Sequence, residues 1–460
     1  MSHTTLLAQL EAQRKYYQSG ATRSATFRKK QLQNLKKAVL QKEEELYTAL
    51  YNDLKKSKEE CWATEIGFFL AELHATLKHL DAWMEPERKP TNLLNLPSTC
   101  EVVREPLGTV LIIAPWNYPF QLLFTPLLGA IAAGNTIVLK PSEFAPATAA
   151  IMKEIIAEHF SPEYILYVEG AGADVIPQMM ESFTFDHVFY TGSTQVGKII
   201  YQMAAKRLVP VTLELGGKSP CVVEADALLE VAARRILTPK FSNCGQMCVA
   251  PDYVLVHESV KQSLIHQMKK VLQKFFGDDP SQSSEYGKII NEKQFDRLIA
   301  YLENGTIIHG GRHNRDALYI EPTLLDAVAL DSPVMQEEIF GPILPIIGFT
   351  NSDEAKQIIA RHPNPLAFYV FSGSNSKAQE WIDQIPFGGG CVNNASWHLT
   401  NHNLPFGGRG FSGTGKYHGK YSFDVFSHEK AIMRTPTWFD PAMKYPPFKG
   451  KLKLFKWLIR

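Results

Sequence analysis

The sequence predicts an α/β protein organised around a doubly wound parallel sheet, with helices ahead of it and a second α/β unit behind. Two observations carry this reading. Between Glu101 and Gly192, short apolar runs alternate with stretches that suit crossover helices, which is the pattern of βαβ units. A second series of the same kind runs from Val211 to about Val392. Length agrees, because 460 residues exceed what a single ordinary core organises.

The elements follow in chain order. From about Leu6 to Trp83 the chain reads as helices, with Leu32, Leu35, Val39, Leu46, Leu50 and Leu54 recurring at helical spacing among Lys and Glu. Pro86, Pro90 and Pro97 mark a break. Thr109–Ile113, Thr136–Leu139, Tyr164–Val168 and His187–Tyr190 are apolar runs short enough for buried parallel strands. A stretch rich in Gly and Asn, Gly388 to Gly415, follows the second series. In the tail, Lys444, Lys449, Lys451, Lys453, Lys456 and Arg460 lie among Phe448, Leu452, Leu454, Phe455, Trp457, Leu458 and Ile459. From Lys451 on, the apolar residues fall largely on one face of a short basic amphipathic helix.

Composition excludes several classes. Hydrophobic residues make up 45% and charged residues 21% of the chain, the profile of a soluble globular protein. The net charge of +1 gives no electrostatic reason to expect nucleic acid as a partner. The six cysteines, Cys61, Cys100, Cys221, Cys244, Cys248 and Cys391, form neither a disulfide scaffold nor a zinc spacing, and reduced thiols in a cytoplasm are expected. Met1 to Arg14 carries charges and no apolar core of a signal peptide. No apolar run approaches the roughly 20 residues that a membrane span requires.

Three stretches imitate nucleotide motifs. Gly408 to Gly413 fits G-x-G-x-x-G but neither follows an apolar strand nor opens an apolar-periodic helix. Gly410 to Lys416 and Gly192 to Lys198 fit G-x-x-x-x-G-K, yet Tyr417 and Ile199 stand where a P-loop needs a hydroxyl. The segment Gly192 to Gly197 nevertheless follows a strand, and Ser193 can cap the helix after it. Exposed N–H groups at such a junction favour an anion. An ordinary capped strand–turn–helix explains the pattern equally well.

Cys244 and Cys248, four apart, are read either as core packing or as one nucleophile with a bystander. Glu214 ends an apolar strand, where burying a carboxylate is costly unless it is paired or titrating. It is a candidate base or a structural acid paired with Lys218. His398 and His402 have helical metal-ligand spacing but lack the Glu of H-E-x-x-H, so no metal site is expected.

Together these stretches resemble the aldehyde dehydrogenase superfamily. Pro115-Trp116-Asn117-Tyr118-Pro119, Lys140-Pro141-Ser142-Glu143, Gly192 to Gly197, Leu213 to Ser219, Gly245 to Cys248, Glu337 to Pro342 and Pro405 to Gly408 are similar to its motifs and occur in its order. Asn243-Cys244 and the run Tyr417 to Phe423 look like its class 3 branch, which takes fatty or aromatic aldehydes. Arg409 departs from the family, which usually has a small or neutral residue there.

The resemblance implies a Rossmann-like dinucleotide-binding domain from residues 1–82 and 103–210 and an α/β catalytic domain from 211–393. It also implies a small β bridging and oligomerisation flap from 83–102 and 394–426, a tail from 427–460, and a homodimer. It implies Cys248 as nucleophile, Glu214 as base, and the Asn117 amide with the Cys248 N–H as oxyanion donors. NAD is the implied cofactor, with NADP tolerated. Lys140 and Glu143 would hold its adenine ribose, Gly192, Ser193 and Gly197 its pyrophosphate, and Glu338 its nicotinamide ribose, with Trp116 and Phe340 alongside. Tyr118, Leu122 and Trp62 would line an apolar tunnel. The product would be a free acid. Transfer of the acyl group to a thiol is the alternative, and Glu214 argues against it. The tail is expected to pack on the protein or its mate, with weak peripheral membrane contact as the minority reading.

Overall fold

The computed structural model describes residues 3–459; Met1, Ser2 and Arg460 lie outside the described residues. The first sheet has six strands, in the order Gly413–Thr414, Val211–Glu214, His187–Thr191, Thr109–Ile113, Thr136–Lys140 and Ile165–Tyr167. All pair in parallel except Gly413–Thr414. The chain moves outward from Thr109–Ile113 and then returns to its other side at His187–Thr191. That reversal opens a crevice at the carboxyl ends of the strands, the usual ligand site of such sheets. Thr109–Ile113, Thr136–Lys140 and His187–Thr191 are buried throughout, because helices cover both faces. One of these helices, Gln121–Ala133, is itself buried on every side. It ends at Gly134, whose φ of +91° is open to glycine and costly to other residues.

The second sheet has seven strands, in the order Thr306–His309, Thr323–Asp326, Ile343–Phe349, Tyr253–His257, Pro220–Val223, Ala367–Phe371 and Gly389–Val392. It is parallel apart from its first edge strand. A third, antiparallel sheet joins Glu87–Lys89, Thr99–Pro106 and Ser427–Arg434.

Three boundaries differ from the sequence expectation. Val211–Glu214 pairs with His187–Thr191 and so belongs to the first sheet; the second begins at Pro220–Val223. The small sheet takes its third strand from Ser427–Arg434, not from 394–426. That latter segment instead returns to the body. Gly413–Thr414 edges the first sheet, and the helix Lys420–Val425 lies so close to Gln121–Ala133 that a Cβ on Gly129 would meet the Ser422 Cβ at 2.7 Å. In the tail, the helix Leu452–Leu458 shares an apolar groove of about 780 Å³ with the Leu93–Pro97 turn, Trp438, Phe439 and Phe448. Trp457 remains 59% and Ile459 66% exposed.

Candidate active site

Cys248 ends a loop of unusual backbone. The helix Leu229–Phe241 stops, and Asn243, Cys244 and Gly245 then adopt φ of +47°, +52° and +72° in succession. Left-handed conformations at two residues with a Cβ are costly and need local support. The Asn243 amide donates to Asn117 O at 2.7 Å, and Gln246 Nε2 donates to Asn243 O at 3.0 Å. Gly245 is required here, since a Cβ would lie 2.3 Å from Gly341 O. The loop turns Cys244 inward, 1% exposed beside Tyr286 and Gly287, and leaves Cys248 half-buried on a cavity wall.

That cavity, about 620 Å³, also receives Glu214. Both Glu214 carboxyl oxygens are buried without a hydrogen-bond partner, and burial pushes its pKa well above the ordinary carboxyl range. Lys218, the alternative ion-pair partner, is instead joined to Asp252. The Cys248 thiol is likewise pushed up, first by burial and then by the neighbouring charges of Glu338 and Glu214.

The remaining walls are mostly apolar, with Tyr118, Leu122, Phe68, Met247, Phe276 and Leu399 among them. Trp62 is not on the wall and is 43% exposed. Glu59, Glu60, Ala63, Thr64 and Phe68 form the cavity-facing side of their segment. Trp62 falls on the opposite side of the helical stripe that these residues form. The sequence reading missed Trp397, Phe406, Tyr417 and His418, all of which line the cavity. The signal was present in the Pro405 to Gly408 and Tyr417 to Phe423 stretches, but these were assigned to the flap.

Asn117 is buried behind the wall. Its Nδ2 donates to Gln246 O at 2.9 Å, tying the Pro115–Pro119 turn to the Cys248 loop.

At the carboxyl ends of the first sheet, Gly192 leads into the helix Thr194–Ala205, which Ser193 caps by accepting from the Val196 N–H. Gly197 is buried against Leu215. A Cβ on Gly192 would come within 2.3 Å of Tyr190 Oη, and one on Gly216 within 1.9 Å of Glu338 Oε2. Glycine is therefore needed at both positions for Tyr190 and Glu338 to pack against the backbone here. Lys140 Nζ lies 3.1 Å from Glu143 Oε2, while Glu143 Oε1 accepts from the Gly172 N–H at 2.8 Å. Partial burial opposes ionisation of Glu143, but these partners hold it below the ordinary range. Trp116 and Phe340 meet edge to face with centroids 5.4 Å apart. Burial, reinforced by Asp252, pushes Glu338 up to about 8.

The nucleotide-motif look-alike Gly408 to Gly413 has another job. A Cβ on Gly413 would lie 2.3 Å from Leu213 O, and one on Gly408 2.0 Å from Ser412 O. Its glycines let the backbone close against the strand that carries Glu214. Arg409 is exposed in this turn, with its backbone N–H on Ser412 Oγ at 2.9 Å.

The family model described as "Aldehyde dehydrogenase family" matches residues 4–432. The chain belongs to the aldehyde dehydrogenase family. It is 48% identical over 452 residues to 4,4'-diaponeurosporen-aldehyde dehydrogenase of Staphylococcus aureus, covering 96% of this chain and 98% of the relative. A rat relative named "Aldehyde dehydrogenase, dimeric NADP-preferring" is 42% identical, with 95% of this chain and 97% of the relative covered. The solved structure of substrate-bound Staphylococcus aureus AldH superposes with a TM-score of 0.96 at 47% identity, covering 98% of this chain and 99% of that one. This aldehyde dehydrogenase is thus an oxidoreductase that uses NAD(P) to oxidise an aldehyde.

Proposed function

We propose that this aldehyde dehydrogenase converts apolar aldehydes, medium- or long-chain aliphatic or aromatic, into free carboxylic acids through a thiohemiacetal and a thioester on Cys248. The observation that carries this is the meeting of Cys248 and the unpartnered buried carboxyl of Glu214 on one apolar cavity. In the proposed sequence Cys248 gives up its thiol proton to solvent and the resulting thiolate adds to the aldehyde carbon. The Cys248 N–H and the Asn117 amide donate to the developing oxyanion, the amide having a second N–H besides the one on Gln246 O. When bound, a nicotinamide cofactor accepts the hydride as the thiohemiacetal becomes a thioester. Glu214 then takes a proton from water as that water attacks the thioester carbonyl. The C–S bond then breaks, the acid leaves, and Glu214 returns its proton to the Cys248 sulfur; a carboxyl with a raised pKa suits both transfers.

The crevice fits such a cofactor, since a Ser-capped helix start follows His187–Thr191 at the sheet's reversal. Gly192, Ser193 and Gly197 would hold the pyrophosphate, Lys140 and Glu143 the adenine ribose, and Glu338 with Trp116 and Phe340 the nicotinamide end. Glu143 repels a 2′-phosphate and Lys140 attracts it, so NAD is favoured and NADP tolerated. Comparing kcat/KM for the two cofactors checks this; a strong NADP preference would remove Glu143 from the ribose.

NAD(P)H formation with hexanal, decanal and benzaldehyde, followed by product analysis, tests the substrate reading. Free acid as product supports it. Release of acyl-coenzyme A dependent on added coenzyme A would overturn it.

The flap supports a homodimer. Ser427–Arg434 is an edge strand of its sheet, and an edge offers free N–H and C=O groups to a second chain. The free thiols at all six cysteines suit a reducing cytoplasm. The tail packs first on its own flap, and five lysines from Lys444 to Lys456 beside exposed Trp457 and Ile459 permit weak contact with an anionic membrane. Removing the residues after Pro447 is expected to raise the KM for decanal or weaken the dimer, with neither form floating on anionic liposomes. Flotation of the full chain alone, in low salt, would make the tail a membrane contact.

A further inference from the structure

One short stretch, ahead of both sheets, holds the two loops of the site at once. Lys56 and Glu65 form an ion pair at 2.7 Å with both side chains fully buried. The Lys56 ammonium also donates to Asn117 O at 3.0 Å and sits 3.8 Å from the centre of the Tyr118 ring. Glu65 Oε2 accepts the Gln121 N–H at 2.9 Å. This pair therefore grips the turn that carries Asn117 from its protein side. Between the two residues, Glu60 reaches the other loop. Its Oε1 accepts from Ser242 Oγ and from the Asn243 N–H, each at 2.7 Å. Asn243 begins the left-handed run that leads to Cys248, and its own amide returns to Asn117 O.

The arrangement forms a closed frame. Asn117 O receives one bond from Lys56 and one from Asn243, while Glu60 fixes Asn243 from the same stretch as Lys56. A carboxylate accepting a backbone N–H gives a strong, oriented bond, here placed where the backbone is least comfortable. The π-helical turn Trp62–Ile66 lies between Glu60 and the following helix.

We propose that Glu60, with the Lys56–Glu65 pair, is a positioning residue that sets the Cys248 sulfur against the Asn117 oxyanion donor. This rests on the assignment of Cys248 and Asn117 to the chemistry. Glu60 also borders the aldehyde cavity, so a direct substrate role is the competing account.

The test compares Glu60→Ala with Glu60→Gln, whose amide oxygen can still accept both bonds, in the full-length enzyme. The first readout is the NADH burst with hexanal and with decanal. The second is the rate of Cys248 alkylation by iodoacetamide with no aldehyde present. Glu60→Ala is expected to slow the burst by about 10- to 100-fold for both aldehydes, the order lost when a reacting pair is displaced. It should also change the alkylation rate, while aldehyde KM stays near the wild-type value and Glu60→Gln recovers most of both. Lys56→Met should show the same signature if it folds. A wild-type burst in Glu60→Ala, or equal losses in the Ala and Gln variants, would overturn the proposal. So would a loss confined to KM and dependent on aldehyde length, which would make Glu60 a substrate contact. If Glu60→Ala fails to fold, Glu60→Gln decides alone, because a full loss there contradicts rescue by an acceptor. A burst that survives Cys248→Ala would instead discredit the underlying site assignment.

Discussion

Cys248→Ala is expected to abolish dehydrogenase turnover, by roughly 10⁴- to 10⁶-fold, the order lost when other enzymes lose their nucleophile. The thiol and a methyl are similar in size, and the loop is held by Asn243, Gln246 and Gly245 rather than by the sulfur. Melting temperature and cofactor binding should therefore stay close to wild type. Cys244→Ala should keep most activity, because Cys244 faces the core near Tyr286 and not the cavity. A dead Cys244→Ala with an active Cys248→Ala would reverse the assignment. The thiol's environment gives an independent check. Negative charge on Glu338 opposes the thiolate, so Glu338→Gln lowers the thiol pKa and speeds alkylation of the cofactor-free enzyme. That gain should appear only above about pH 8, where Glu338 itself is ionised.

Glu214→Gln is expected to separate the two halves of the reaction. The burst of NADH, reporting hydride departure, should survive. Steady turnover should fall by roughly 10²- to 10⁴-fold, the usual worth of a general base. The sign with pH follows from burial. Because the Glu214 pKa is raised, the ionised, basic form grows as pH rises. Deacylation in the wild type should accelerate into the alkaline range, and that limb should vanish in the variant. Loss of the burst would move Glu214 to an earlier step and pass the base role to another carboxyl such as Glu338.

Much of this was legible in the sequence where burial is continuous. Thr109–Ile113 has the bounds that its apolar run predicts, because a strand covered on both faces leaves no polar position to blur it. Glu214 stood out for the converse reason: an acid at the end of such a strand must be explained. Sheet membership was not legible. Val211–Glu214 reads as a buried strand whichever sheet receives it, and only pairing with His187–Thr191 decides. Ser427–Arg434 was invisible because it is buried along neither face, so the alternation that marks a half-covered strand is missing. Trp62 was misplaced because residue type and family position carry no side-chain direction, and the cavity is reached instead by Glu59, Glu60, Ala63 and Thr64 around it. The frame around Asn117 O was beyond reach, since its partners at Lys56 and Asn243 come from opposite sides of the turn in sequence.

The return of the late chain to the first sheet also orders events during synthesis. Gly413–Thr414 supplies the strand beside Glu214, and Asn135 Nδ2 bonds Phe426 O across 291 positions. Trp397, Phe406, Tyr417 and His418, which wall the cavity, emerge from the ribosome long after Cys248. A nascent chain that has already made Cys248 therefore lacks the walls that cover its thiol in the finished fold. Contacts this distant in sequence close slowly, so the thiol is expected to meet solvent and oxidants during that interval. Chains released before the last wall residues would carry an intact Cys248 without a substrate cavity, and pulse-alkylation of stalled nascent chains should label that sulfur faster than in the finished enzyme.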